Sequence, residues 1–197
     1  MKNYSFRKNL RYMAMAFYRP KAVIDLFLQE SSFLYSVVPL IIFTVLFETG
    51  YVLDYIFEAP AFFHLLAGIL GIPDAQYDLY QIFLIPIVHI ADFFIFGGVI
   101  YAVSKLLRIH KVDTVKTVLF FMFIWNTIGL LGFVTENLAI KGKIDFLLYV
   151  QPIYVIVPLV YMMDFIHKQA GASRRMSLVP SILGLSLFLG FRMIFVG

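Results

Sequence analysis

Residues 80–103 read YQIFLIPIVHIADFFIFGGVIYAV. At about 1.5 Å of rise per residue a helix of this length crosses the roughly 30 Å of bilayer hydrocarbon. The run is too long and continuous for a core strand, and it is interrupted only by His89 and Asp92. Stretches of the same kind lie at 33–53, 117–135, 146–163 and 178–196. Tyr35, Tyr51, Tyr55, Tyr80, Tyr101, Tyr149 and Tyr161 sit near their ends, as in an interfacial aromatic belt. The pattern predicts an all-α polytopic membrane protein: one domain, residues 1–197, built as a bundle of five transmembrane helices.

Composition agrees. The 197 residues are 61% hydrophobic, 18% aromatic and 14% charged, with a mean hydropathy of +0.88 and no cysteine. Soluble domains are nearer half apolar and a quarter charged. Disordered, collagenous and disulfide-framework classes are excluded, and the lack of cysteine removes thiolate metal sites and thiol nucleophiles.

The sixteen Lys and Arg residues set the orientation. Lys2, Arg7, Lys8, Arg11, Arg19 and Lys21 precede the first span, Lys105, Arg108, Lys111 and Lys116 separate spans two and three, and Lys168, Arg174 and Arg175 follow span four. The opposite side holds only Lys141 and Lys143, and an external loop, 54–79, carries Asp54, Glu58, Asp74 and Asp78. The positive-inside rule then predicts a cell-membrane protein with a cytoplasmic N-terminus and an external C-terminus. The net charge of +4 is topological, and nucleic acid is not an expected partner. No cleavable signal is expected. Within the external loop, Phe62 to Ile72 is apolar but half a span long, which suggests an interfacial or re-entrant segment.

Residues 1–31 form a cytoplasmic amphipathic segment. Phe6, Leu10, Met13 and Phe17 share one helical face, with Arg7, Lys8 and Arg11 off it. After Arg19-Pro20, Val23, Ile24, Phe27 and Leu28 form a second face opposite Lys21, Asp25 and Gln29. Two short helices lying on the leaflet, with Arg7, Lys8, Arg11, Arg19 and Lys21 toward anionic head groups, fit this pattern. The alternative is that they pack against the loops of the bundle.

An ionisable side chain in hydrocarbon costs several kcal/mol or takes its neutral form, so each is a functional candidate. Asp92, His89 one turn before it, and Asn126 near the middle of span three make one group. It reads either as a midplane proton or cation site or as a buried polar pair that fixes helix register, with Asp92 bonded to His89 or Asn126. A metal is not expected, because His64, His110 and His167 lie in other regions of the chain. Arg192 in span five shares a face with Ser177, Ser181, Gly184 and Phe188 and should point into the bundle. Its expected partner is Glu48, the better depth match, or Glu136; snorkelling to the interface is the alternative. In span four, Gln151, Tyr154, Pro158, Tyr161 and Phe165 share a face suited to a cleft or to packing. There is no GxSxG, HExxH, Walker A or GxGxxG motif, and Asp113 and Asp164 stand alone, so neither an enzyme nor a cofactor is expected.

The order of features resembles the prokaryotic branch of the Yip1 family: Arg19-Pro20 and then Glu30-Ser31-Ser32 before the first span, a long external loop, GGVIYAVSKLLRIHKVDTVKTV from Gly97, and HKQAGASRRMSLVP from His167. One difference is Ile124-Trp125-Asn126 in span three, where many members carry a proline. The resemblance implies five spans and a non-enzymatic membrane scaffold or organiser, whose partners would be lipids and other membrane proteins or further copies of itself. The competing function is a small proton- or cation-coupled transporter, or subunit of one, using Asp92, His89 and Asn126.

Overall fold

Apolar surroundings supply no water to backbone N–H and C=O groups, so long hydrophobic stretches satisfy them internally as helices. A computed structural model describes residues 5–29, 33–56, 68–69, 71–142, 149 and 152–195. Among them are seven long helices and no strand: α1 (Phe6–Tyr18), α2 (Pro20–Gln29), α3 (Phe33–Ile56), α4 (Asp74–Leu106), α5 (Thr114–Gly142), α6 (Ile153–Ala170) and α7 (Arg174–Phe195). Four of these, α3, α4, α5 and α7, contain apolar stretches long enough to cross a membrane. α6, which overlaps the expected fourth span of 146–163, begins at Ile153, runs on through Asp164, His167 and Lys168 to Ala170 and is not among these four; residues 146–148, 150 and 151 lie outside those described. Most of the predicted re-entrant segment falls outside the described residues.

Local chemistry fixes the ends. The Ser5 side chain accepts the Lys8 N–H at 3.2 Å and caps α1. Asp113 does the same for α5, its Oδ1 accepting the Lys116 N–H at 3.0 Å. Gly171 stops α6 at φ 66, a left-handed conformation that glycine adopts freely, and its N–H donates to the His167 carbonyl. Gln169 then reaches across, its Oε1 accepting the Asp113 N–H at 3.0 Å and the Thr117 hydroxyl at 3.2 Å, so the end of α6 is joined to the start of α5.

α5 is the central helix, touching α1, α2, α3, α4 and α6. Phe120, Phe121, Phe123 and Ile124 on it are fully buried. Phe121 stacks on Phe96 of α4 at 3.8 Å between ring centroids, and Phe120 stacks on Phe165 of α6 at 4.2 Å. Phe27 of α2 meets both Phe120 and Phe123. The outward faces stay apolar, with Phe83, Ile87, Ile90 and Phe94 on α4, Ile41 and Val45 on α3, and Ile182, Leu183 and Leu187 on α7 all exposed. Apolar surface this continuous suits hydrocarbon rather than water.

The first helix is held through carbonyls that prolines set free. Pro39 inside α3 cannot donate to Tyr35, four residues back, and the buried Asn9 amide of α1 supplies that bond at 3.4 Å, with the Leu34 carbonyl 3.3 Å away. Pro20 likewise offers no N–H to Ala16, whose carbonyl accepts the Tyr161 hydroxyl of α6 instead. α1 thus buries Asn9, Tyr12, Met13, Met15 and Ala16 against protein and leaves Phe6, Leu10 and Phe17 exposed. Of the face expected from spacing, only Met13 turns inward. α2 buries Val23, Ile24 and Phe27, the expected face, but against the bundle. Lys168 of α6 pairs with Asp25 at 2.7 Å, and the Lys116 ammonium donates to the Leu28 carbonyl at 3.3 Å.

Replacing Tyr161 with Phe strands the Ala16 carbonyl, which is expected to cost about 1–3 kcal/mol. The protein in detergent should unfold at lower temperature, and amide exchange should rise in α1 before it rises in α5. Equal exchange in both helices would contradict this attachment.

Candidate functional site: a buried polar layer around Asp92

Close approach of α7 to α4 builds the layer. A Cβ on Gly184 would lie 2.9 Å from Phe96 Cε2 and 3.2 Å from Ile100 Cδ1, so only glycine lets the helices meet here without displacing those side chains. Ser177, Ser181, Gly184 and Phe188 form the buried stripe of α7. Arg192 comes two turns beyond Gly184, about 12 Å along the axis, which brings it level with Asp92. Its Nη1 lies 3.6 Å from Asp92 Oδ2, with side-chain exposures of 14% and 0%. The guanidinium carbon also lies 6.0 Å from the centroid of the Phe188 ring. At 3.6 Å the charges face each other outside hydrogen-bond range, and neither Asp92 oxygen has a hydrogen-bond partner.

On the α3 side, His89 Nδ1 and Thr44 Oγ1 share a hydrogen bond of 3.1 Å, its direction set by the tautomer. Phe43 and Phe47 flank the imidazole at 5.6 and 6.3 Å between centroids. Asn126 on α5 donates to the Met122 carbonyl of its own helix at 2.7 Å. All three sequence candidates, His89, Asp92 and Asn126, are therefore buried, but the hydrogen bonds expected between them are not the ones formed. His89 is turned to α3, Asn126 to its own backbone, and Asp92 faces Arg192. His89 Nε2, Asn126 Oδ1 and Thr127 Oγ1 are buried with no hydrogen-bond partner. Glu48 Oε1 is in the same condition, and the Glu136 side chain lies outside those described.

The partner found for Arg192 joins two groups that the sequence had kept apart. Depth counted from span ends suggests Glu48, but α4 starts at Asp74, well before the apolar run at Phe83, and the register with α7 is set by Gly184. The Tyr154, Pro158, Tyr161 and Phe165 face of α6 packs on protein: Tyr154 covers Gly132, and Phe165 stacks on Phe120. Of the basic N-terminal candidates, Arg7, Arg11, Arg19 and Lys21 are exposed, while Lys8 sits over the rings of Tyr12 and Tyr35 at 5.5 and 5.7 Å. Among the described residues no three His, Asp or Glu side chains come together as a metal site.

Fold and site define an all-helical protein with four helices long and apolar enough to cross a membrane and a buried Asp–Arg pair between two of them. No family model, curated protein or solved structure matches the chain.

Removing one member of a buried pair leaves an uncompensated charge, a loss of about 3–5 kcal/mol. Arg192→Leu should therefore destabilise the protein by that order in detergent unfolding, and adding Asp92→Leu should restore much of it. Additive losses in the double mutant would show that the two side chains are not coupled.

Proposed function

We propose that this chain is a non-enzymatic, multi-pass cell-membrane protein, a scaffold or membrane organiser of the Yip1-like type, acting through lipids and neighbouring membrane proteins or copies of itself. In this reading α6 also crosses the membrane, as the fourth of five spans, the N-terminus is cytoplasmic and the C-terminus external. The apolar residues Ile153, Ile156 and Val160 exposed on α6 support a lipid-facing role for that helix. The basic loops at 105–116 and 168–175 support the orientation.

The observation that carries this reading is the two-faced α1. One face is fastened to the bundle through Asn9, Tyr12 and Ala16, while Phe6, Leu10 and Phe17 remain exposed on the other, with Arg7 and Arg11 beside them. A helix held in place with an outward apolar stripe and flanking arginines is suited to embed in a head-group region. Because the chain lacks cysteine, one introduced at Leu10 carries a unique probe. In anionic vesicles a label at position 10 should be quenched by a lipid-borne quencher and shielded from an aqueous one, with the reverse at Arg11. Equal aqueous access at both positions would refute the embedded α1.

A second reading, a small proton- or cation-coupled transporter, is favoured by one fact: His89 Nε2, both Asp92 oxygens and Asn126 Oδ1 are buried and without hydrogen-bond partners. Under the organiser reading, proton and cation fluxes in proteoliposomes stay at the lipid-only background for both wild type and Asp92→Asn. A pH-dependent wild-type flux lost in Asp92→Asn would instead establish transport.

A further inference from the structure

α4 and α5 are joined by a basic turn that forms an open surface cavity of about 310 Å³, lined among others by Tyr101, Ser104, Lys105, Arg108, His110 and Lys111. The turn is anchored by Ile109, which is buried and donates its N–H to the Ser104 carbonyl at 2.8 Å. Leu107 and Arg108 donate to the Val103 and Lys105 carbonyls, so with Ser104 three of the last four carbonyls of α4, which would otherwise repel an anion, are occupied. The acid of the turn, Asp113, is engaged in capping α5.

We propose that this cavity binds a phosphate ester anion, supplied by the head group of an anionic phospholipid. Three cationic residues line it, Lys105, Arg108 and Lys111. Topology alone requires cations near a membrane; it does not require them to line one cavity. Arg108 and Lys111 do so from φ of 56 and 71, a backbone region that side chains other than glycine rarely adopt. Ser104 adds a neutral donor: its side chain is 3% exposed, lines the cavity, and its Oγ has no hydrogen-bond partner. A phosphate oxygen would accept from that hydroxyl while the guanidinium and ammonium groups balance the charge. The surroundings favour a lipid over free phosphate, since Leu106 and Val115, on the helices that flank the turn, are 82% and 69% exposed. The inference rests on the reading above only in placing this end of the bundle at the cytoplasmic leaflet.

The test uses the full chain in an uncharged detergent, titrated with dihexanoyl phosphatidic acid, dihexanoyl phosphatidylglycerol, dihexanoyl phosphatidylcholine and sodium phosphate. Binding is read by thermophoresis and by the shift in thermal midpoint. The anionic lipids should bind saturably and raise the midpoint, with the phosphatidylcholine lipid at least about tenfold weaker, as loss of charge complementarity dictates. Arg108→Gly and Lys111→Gly suit the left-handed backbone and remove the charge. Each should keep the fold and weaken anionic-lipid binding about tenfold, and Ser104→Ala should weaken it severalfold. Arg175→Gln, at an exposed basic residue outside the cavity, should leave the affinity unchanged. Unchanged binding in the Arg108 and Lys111 variants overturns the site. Loss in an Arg7→Gln, Arg11→Gln variant with none in the Arg108 and Lys111 variants also overturns it, moving the lipid to α1 and leaving the proposed function standing. Phosphate that binds as tightly as the lipids and displaces them overturns the lipid assignment in favour of a free anion.

Discussion

Every carbonyl released inside this bundle has to find a donor within the protein or at its edge. Proline makes that constraint visible. Where Pro39 and Pro20 withhold an N–H, the donors come from distant helices: Asn9 on α1 and Tyr161 on α6. These bonds tie α1 to α3 and α6, and so bear on which side of α1 is left outward. The exposed stripe of Phe6, Leu10 and Phe17 is thus a consequence of hydrogen-bond satisfaction at least as much as of amphipathic spacing.

Packing around α5 supplies the remaining order. Flat aromatic rings from α2, α4, α6 and α7 gather on or near its Phe120 to Trp125 segment, and they stack or meet edge to face rather than simply filling volume. Glycines set how near the partners come. Gly97 faces Val118 so closely that a Cβ would fall 2.5 Å from its Cγ2, and Gly184 holds α7 against Phe96. The Asp92–Arg192 pair lies on the same α4–α7 contact, so the depth of a charge in this protein is decided by small residues some distance away from it.

That dependence explains what could be read from sequence. Four of the five long apolar runs and the Ser177–Ser181–Gly184–Phe188 stripe follow from length and helical period, and the helices and burial at those positions agree with them. The burial of His89, Asp92 and Asn126 was equally legible. Their partners were not, because register between two helices is a tertiary quantity: Gly184 announces a close approach but not which residue of α4 it will meet. Asn9 escaped notice for a related reason. A lone polar residue in a basic amphipathic helix looks solvated until a proline on another helix is seen to need its amide. The cavity in the α4–α5 turn was hidden too, since nothing in the spacing of Lys105, Arg108 and Lys111 foretells two left-handed residues.

The attachments of the N-terminal helices also bear on the order of assembly. Tyr161 follows Ala16 by 145 residues, and Lys168 follows Asp25 by 143. At about 5–20 residues per second of synthesis, α1 and α2 wait on the order of ten seconds or more before those partners emerge. During that interval the Ala16 carbonyl has only lipid, water or a chaperone for company, whereas Phe27 of α2 can already meet Phe120 and Phe123 of α5. α1 is consequently fastened late, when α6 arrives more than a hundred residues after it.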